Sequence, residues 1–152
     1  MSLKKYTVLV TGANGYLASW IVKKLLFEGH TVHATVRNKH NKEKINHLLE
    51  YEKKYEGNIK FFSADLLKKN SFDEAMRDCS IIFHTASPFK LEIKDPVEEL
   101  INPALKGTKN VFLSADKIDS IKKIVLTSSV AAMYTDASEC KKLINNEITE
   151  LI

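Results

Sequence analysis

Short, continuous apolar runs alternate along the chain with longer segments whose apolar residues recur every three or four positions. Runs of the first kind are typical of strands buried on both faces of a parallel sheet, and segments of the second kind are typical of helices packed on that sheet. The alternation predicts an α/β fold with a doubly wound parallel sheet, helices on both faces and right-handed crossovers. The predicted strands are residues 6–10, 31–36, 59–62, 80–84 and 122–127.

Three of the segments between these runs predict helices with simple boundaries. The first ends at Gly29, a residue type that favours the left-handed conformation after a helix. Residues 41–56 predict a charged helix, and residues 71–77 predict a short one. The apolar positions of the first helix recur at helical spacing, at Leu17, Ile21, Val22, Leu25 and Leu26.

The segment before the fifth strand has a strong helix-start signal and an internal interruption. Asp95 as N-cap, followed by Pro96 at the first helical position, predicts a helix that runs to about residue 115. Pro103 lacks a backbone donor and crowds the carbonyl one turn back. We therefore expect either a kink at this point or a new helix start with Asn102 as its cap.

Composition and charge narrow the classes of function. The 152 residues, 44% hydrophobic and 28% charged, fit one globular domain with a real core. The net charge is +4, and every basic residue other than Arg37 and Arg77 is a scattered lysine, which argues against a nucleic-acid-binding face. The two cysteines lack zinc-ligand spacing, and no segment resembles a secretory signal or a membrane span. We expect a cytoplasmic protein that binds neither nucleic acid nor membrane.

A glycine-containing turn, residues 11–18, directly follows the first strand and opens the first helix. Gly12 permits a tight turn, Gly15 lets a pyrophosphate approach the backbone N–H groups at the helix start, and Ala18 allows close helix packing. An ordinary strand-to-helix turn could also use glycines, but this context is typical of a Rossmann-like dinucleotide-binding domain with strand order 3-2-1-4-5. The candidate cofactor-binding residues of this turn are Thr11, Gly12, Asn14, Gly15, Tyr16 and Leu17.

The end of the second strand distinguishes between two dinucleotides. An acidic residue there would hold the ribose hydroxyls of NAD, whereas a cation accommodates the additional phosphate of NADP. This chain has Arg37 at that position and no acidic residue between Arg37 and Glu43. Lys44 is the favoured second cation, with Lys39 or Lys42 as less favoured alternatives, and each of these charges could instead belong to the solvated surface. The pattern predicts NADP as the cofactor, with NAD disfavoured.

Six short motifs follow one another between residues 11 and 129. They are TGANGYLASW from residue 11, ATVR from 34, ADL from 64, HTASP from 84, NPALKGTKNV from 102 and LTSS from 126. In this order they resemble the N-terminal part of an extended short-chain dehydrogenase/reductase. The most similar subgroup contains dihydroflavonol reductase, cinnamoyl-CoA reductase and related NADPH-dependent carbonyl reductases. The resemblance implies an oxidoreductase that reduces the ketone or aldehyde carbonyl of a small molecule to an alcohol.

The resemblance also implies roles for residues after the third and fourth strands. Asp65 and Leu66 would contact the adenine, and the less favoured alternative for the aspartate is a turn or cap residue. Thr85, Ala86 and Ser87 would line the pyrophosphate and the nicotinamide ribose at the carboxyl ends of the strands.

Ser129 matches the catalytic serine of the resembling family, whose hydroxyl binds the substrate carbonyl, and Thr127 and Ser128 would face the cofactor. The family's tyrosine four residues before a lysine is absent, because none of the five tyrosines here has a lysine at that spacing. We therefore expect residues 1–135 to form the NAD(P)-binding domain and residues 136–152 to begin a C-terminal part. The remaining strands and the substrate domain would lie outside this chain, which alone should scarcely turn over.

Two other functions stay open at this point. One is a dinucleotide-binding sensor without catalysis, and the other is a nucleotide-sugar epimerase or dehydratase, which Arg37 disfavours. Self-association is a further expectation, because the fifth strand would be an open sheet edge. The long helix over residues 95–115 is the alternative contact surface for a homodimer, because the resemblance implies a helix that often takes part in a dimeric helical bundle.

Two residues beside the fourth strand have reactive side chains but are predicted to be structural. Cys79 precedes the strand and resembles a buried apolar residue more than a reactive thiol. His84 ends the strand, where a hydrogen-bonded core histidine is the favoured interpretation.

Overall fold

The computed structural model describes residues 4–88, 92–129 and 132. One parallel sheet of five strands has the order β3-β2-β1-β4-β5, as the sequence predicts. Every strand boundary lies within one residue of its predicted position. The strands are β1 (Thr7–Thr11), β2 (Thr31–Val36), β3 (Ile59–Ser63), β4 (Ile81–His84) and β5 (Lys123–Leu126). The predicted tail over residues 136–152 lies outside the described residues.

Helices cover both faces of the sheet, and this explains why the strands are apolar without alternation. Along β1, Val8 and Val10 point into the core beneath α1 and α2, while Leu9 points into the core beneath α3 and α4. Each fully buried side chain of this size contributes about 1.5 to 3 kcal/mol to folding. The helices are α1 (Tyr16–Phe27), α2 (Lys42–Lys54), α3 (Asp73–Met76) and α4 (Asn102–Ala115).

The first helix ends as predicted but turns one predicted apolar position outward. Gly29 has a φ of 80°, and its N–H donates to Leu26 O at 3.0 Å, which closes the helix in the left-handed conformation that glycine favours. Leu17 is 50% exposed although it shares the helical spacing of the core residues. The buried stripe of α1 passes instead through Ala18 and Val22, because these side chains face the sheet.

The segment before β5 begins at its predicted cap and then departs from the prediction. Asp95 Oδ1 accepts backbone N–H groups from two residues of the first turn, at 2.9 and 3.1 Å. A π-helical turn (Val97–Ile101) then runs directly into α4. The expectation of Asn102 as a new cap is wrong, since this residue is helical and its side chain donates to Glu98 Oε1 at 2.8 Å. The wider turn ends two residues before Pro103, whose missing N–H leaves an ordinary helical ladder one donor short.

No helix in the described part of the chain is both long and apolar enough to cross a membrane.

Candidate functional site

A cleft of about 810 Å³ lies at the carboxyl ends of the strands. The chain leaves β1 toward β2 on one side, whereas β4 pairs with β1 on the other side, so the two connections diverge at this edge. Such a divergence is where open α/β sheets bind ligands. Ten of the residues predicted from the sequence line the cleft: Gly12, Asn14, Gly15, Arg37, Lys44, Asp65, Leu66, Thr85, Ala86 and Ser87.

The turn after β1 favours glycine at position 12 through its backbone conformation, and leaves little space for a Cβ at Gly15. Gly12 has a φ of 62°, and a Cβ placed on it would stand 3.1 Å from the Cβ of Ala86. A Cβ on Gly15 would stand 3.2 Å from the carbonyl oxygen of Gly12, which accepts the Gly15 N–H at 2.9 Å. The turn leads into α1, whose first turn carries no acidic residue to neutralise the positive end of the helix. This turn can therefore accept an anionic group against its backbone.

Thr11 lies beneath this turn and is fully buried. Its Oγ1 accepts the backbone N–H groups of Thr85 and Ala86 at 3.1 and 3.0 Å, and lies 2.8 Å from His84 Nδ1. The hydroxyl of Thr85 donates in turn to the carbonyl oxygen of Thr11. Thr11, predicted as a cofactor-binding residue, is thus placed as a link between the ends of β1 and β4.

The two predicted cations both line the cleft. Arg37 is exposed and follows directly after β2, and Lys44 is exposed in the first turn of α2. The backbone N–H of Lys44 donates to the Asn41 side chain at 3.3 Å, which caps this helix. A guanidinium and an ammonium facing one space provide the donors and positive charge that a phosphate monoester requires.

The loop after β3 is held by hydrogen bonds to two other segments. Asp65 Oδ1 accepts the Leu67 N–H at 2.8 Å, so this carboxylate is indeed a turn residue as well as a lining residue. Ser71 Oγ donates to Asp65 O at 2.6 Å and accepts the Asp65 N–H at 3.2 Å. Asn110 Nδ2 donates to Leu66 O at 2.7 Å. The sequence reasoning missed Ser71 and Asn110, although Asn110 lies within a motif that carried the resemblance.

Other lining residues were also missed, because they come from the strand ends, the neighbouring loops and the π-helical turn rather than from a glycine or charge signal. They are Thr35, Val36, Ala64, Leu67, Phe72, Pro88, Glu98, Glu99 and Pro103.

Besides Thr11, five predicted site residues are not among those that line the cleft. Tyr16 and Leu17 point outward from α1, with 85% and 50% of their surface exposed. Thr127, Ser128 and Ser129 are exposed after β5, where the Thr127 N–H donates to His84 O at 3.0 Å.

The two residues predicted to be structural are buried. His84 is 1% exposed, and burial lowers the pKa of its imidazole from 6.5 to about 4. Cys79 is fully buried, and burial raises the pKa of its thiol to about 12, which leaves it in the unreactive protonated form. The predicted burial of both side chains is confirmed.

The chain is similar in sequence to known proteins. The model of the 3-beta hydroxysteroid dehydrogenase/isomerase family matches residues 9–151. The chain belongs to this family. Among curated relatives, cinnamoyl-CoA reductase CAD2 from Medicago truncatula is 50% identical over 89% of this chain and 46% of the relative. Dihydroflavonol 4-reductase from Solanum lycopersicum is 42% identical over 95% of this chain and 37% of the relative. These relatives confirm the resemblance to the extended reductase subgroup.

Solved structures of the same kind have the same fold. Gre2 from Candida albicans, crystallised in complex with NADPH, has a TM-score of 0.75 and 35% identity, covering 88% of this chain and 39% of that chain. Vestitone reductase from alfalfa has a TM-score of 0.66 and 32% identity, covering 84% of this chain and 37% of that chain. The chain spans less than half the length of each of these relatives.

Proposed function

We propose that this member of the family serves the NADPH-dependent reduction of a ketone or aldehyde carbonyl to an alcohol, and that the described chain supplies the NADPH-binding part. The observation that carries the proposal is the common cleft of the glycine turn, Arg37 and Lys44. The names of the relatives support it, since they are reductases, and one structural neighbour was crystallised with NADPH.

The phosphate-binding elements fit this cofactor. Gly12 and Gly15 carry no Cβ, so a pyrophosphate can approach the backbone of the turn. The first turn of α1 has no acidic residue, so the positive end of the helix can attract the anion. Arg37 and Lys44 would bind the 2′-phosphate that distinguishes NADPH from NADH. Asn14 would complete the turn beside the pyrophosphate.

The remaining lining residues fit the other parts of the molecule. Asp65 and Leu66 would contact the adenine, and Thr85, Ala86 and Ser87 would follow the pyrophosphate and the nicotinamide ribose. NADPH supplies the hydride of the reduction when it is bound. The residues named above for the adenine, the pyrophosphate and the nicotinamide ribose all line the cleft.

The residues after β5 would act on the substrate side. We propose that the Ser129 hydroxyl donates a hydrogen bond to the substrate carbonyl oxygen, while Thr127 and Ser128 face the cofactor. The 152 residues contain no tyrosine four positions before a lysine, so the positioned proton donor of the reaction is missing from them. Because a positioned acid is typically worth roughly 10² to 10⁴ in rate, this chain alone should bind NADPH with little turnover.

Calorimetric titration with NADPH and NADH tests the proposal. NADPH should bind more tightly, and Arg37→Ala should weaken NADPH binding by roughly tenfold to a hundredfold, as expected for charge-assisted hydrogen bonds, while NADH binding is unchanged. Lys39→Ala is the matched control, because Lys39 is an exposed neighbour that is not among the lining residues. A folded chain that binds neither nucleotide would overturn the proposal.

We also propose a homodimer that forms through the outer face of the long helical segment. Four apolar side chains follow one stripe along the π-helical turn and α4, and each is 41–64% exposed: Val97, Ile101, Leu105 and Phe112. The alternative contact is the open edge of β5, where Leu126 is 50% exposed. A cytoplasmic location stays a prediction.

A further inference from the structure

The Thr11 hydroxyl has three polar neighbours, and their geometry fixes the direction of its hydrogen. Its oxygen receives the backbone N–H groups of Thr85 and Ala86, and lies 2.8 Å from His84 Nδ1. A threonine hydroxyl has two acceptor lone pairs and one hydrogen to donate. Because the two amides occupy both lone pairs, the hydroxyl hydrogen must go to His84 Nδ1.

This assignment determines the state of the His84 ring. A nitrogen that accepts a hydrogen bond carries no proton, so the imidazole is neutral and its proton is on Nε2. Burial has the same consequence, since it lowers the pKa of this imidazole to about 4. His84 Nε2 is buried and has no hydrogen-bond partner within the part of the chain that the structure describes. An unpartnered buried N–H group destabilises a fold, so Nε2 offers no favourable interaction. The polar contribution of His84 to the structure therefore comes from Nδ1, which accepts the Thr11 hydroxyl.

The Thr11 side chain accepts hydrogen bonds just beyond the end of the pairing between β1 and β4. The register between β1 and β4 ends at the pair Thr11 and His84, because the chain turns away at Gly12. Thr85 and Ala86 therefore have no strand residue in β1 to receive their N–H groups, and the Thr11 hydroxyl receives both. The Ala86 Cα stands 3.2 Å, and its Cβ 3.1 Å, from the Cβ position of Gly12. A small shift of this segment would therefore move one wall of the cleft against the glycine turn.

We propose that His84 is a positioning residue for the NADPH site. Its neutral ring orients the Thr11 hydroxyl, which holds the amides of Thr85 and Ala86 and so sets the distance between the glycine turn and the opposite wall. The inference rests on the proposed function for the identity of the ligand. His84 itself touches neither cofactor nor substrate.

Nitrogen-15 NMR of the wild-type chain tests the tautomer without any variant or ligand. At pH 7 the His84 ring should show a proton bound to Nε2 and none on Nδ1. A proton on Nδ1, or a charged ring, would contradict the assignment.

NADPH affinity, measured by calorimetry, tests the positioning role. His84→Leu should weaken NADPH binding roughly tenfold, the loss expected for one hydrogen bond that orients a binding wall. His84→Asn should retain most of the wild-type affinity, because the side-chain oxygen of asparagine can accept a hydrogen bond from the Thr11 hydroxyl. In a Thr11→Val background, His84→Leu should cause little additional loss, because the two residues act through one hydroxyl.

The matched control is the other buried histidine of the sheet. His33 is 5% exposed on β2, and its Nδ1 lies 2.7 Å from Ala75 O on the face of α3, away from the cleft. His33→Leu should lower the melting temperature and leave NADPH affinity within about twofold.

If His84→Leu behaves in the same way, His84 is merely structural and the inference fails, while the proposed function stands. If the wild-type chain binds no NADPH, the proposed function fails and the positioning role falls with it, whereas the tautomer is still decided by NMR. If His84→Leu does not fold, His84→Asn should still bind NADPH more tightly than Thr11→Val, and equal affinities of these two variants would overturn the positioning role.

Discussion

Gly107 of α4 lies directly against Leu66 in the loop after β3. A Cβ placed on Gly107 would stand 2.9 Å from the Leu66 Cβ, closer than two such atoms can approach. One turn later, Asn110 Nδ2 donates to Leu66 O at 2.7 Å. The helix therefore supports the loop that lines the cleft through both a close contact and a hydrogen bond, and Leu66 cannot retreat without moving its own backbone.

Gly107→Ala should destabilise the protein, although alanine in a helix normally stabilises by about 0.5 to 1 kcal/mol relative to glycine. Overpacking against Leu66 costs about 1 to 3 kcal/mol, so the contact outweighs the helix propensity. Urea unfolding measures the net change. Lys109→Ala, at an exposed position of the same helix, is the control and should be nearly neutral. A Gly107→Ala chain more stable than wild type would disprove the close contact.

Gly12→Ala and Gly57→Ala form a matched pair that separates backbone strain from loss of space. Both glycines have positive φ, 62° and 75°, so alanine should cost roughly 1 to 2 kcal/mol of stability at either position. Only Gly12 faces a neighbour, Ala86, whereas a Cβ on Gly57 meets nothing within 4 Å. We expect Gly12→Ala to lose NADPH binding and Gly57→Ala to retain it, as measured by calorimetry on the folded variants. Equal affinities of the two variants would refute the close approach at the turn.

The stability of the fold should decrease as the pH falls from about 6.5 to about 4. The pKa of His84 is lowered from 6.5 to about 4 by burial, so in this range the unfolded chain binds a proton that the folded chain does not. The contribution of His84 to the free energy of unfolding is therefore highest above pH 6.5. It falls by on the order of 3 kcal/mol between pH 6.5 and pH 4. Burial also lowers the pKa of His33, which acts in the same direction.

Urea unfolding at several pH values between 7.5 and 4.5 measures this dependence. His84→Asn should reduce the slope, because asparagine does not titrate, and the slope that remains should include the contribution of His33. An unchanged slope in that variant would show that His84 titrates normally.

Leu105→Glu should abolish self-association if the stripe on α4 is the dimer contact. Leu105 is 64% exposed at the centre of this stripe, and a charge there would be desolvated in a helix-to-helix interface. Sedimentation at high protein concentration should show a dimer for wild type and a monomer for the variant. Lys106→Glu, at the adjacent exposed position, is the control for added charge. A monomeric wild type would contradict the proposal, and a dimer that persists in Leu105→Glu would instead favour the edge of β5.

Local pattern was sufficient for the sheet and for the core of the site. Residues 31–36 are a strand exactly where the apolar run occurs, and Gly29 ends α1 as its residue type predicts. The glycine turn and Arg37 were found because each depends on one short segment: a positive φ after a strand, and a cation at a strand end. Such features are encoded by residues a few positions apart, so no knowledge of packing is needed to recognise them.

What the sequence determined by itself is thus the order of strands and helices, the turn at Gly12 and the charge that faces the cleft. Only the tertiary structure decided that Thr11 lies beneath the site, that Ser71 and Asn110 hold its loop, and that a π-helical turn replaces the predicted cap at Asn102. The physical reason is that these relationships join segments up to 75 residues apart, as in the hydrogen bond between Thr11 and Ala86. Their distances are set by how helices and strands pack, whereas residue type and spacing specify only the local backbone.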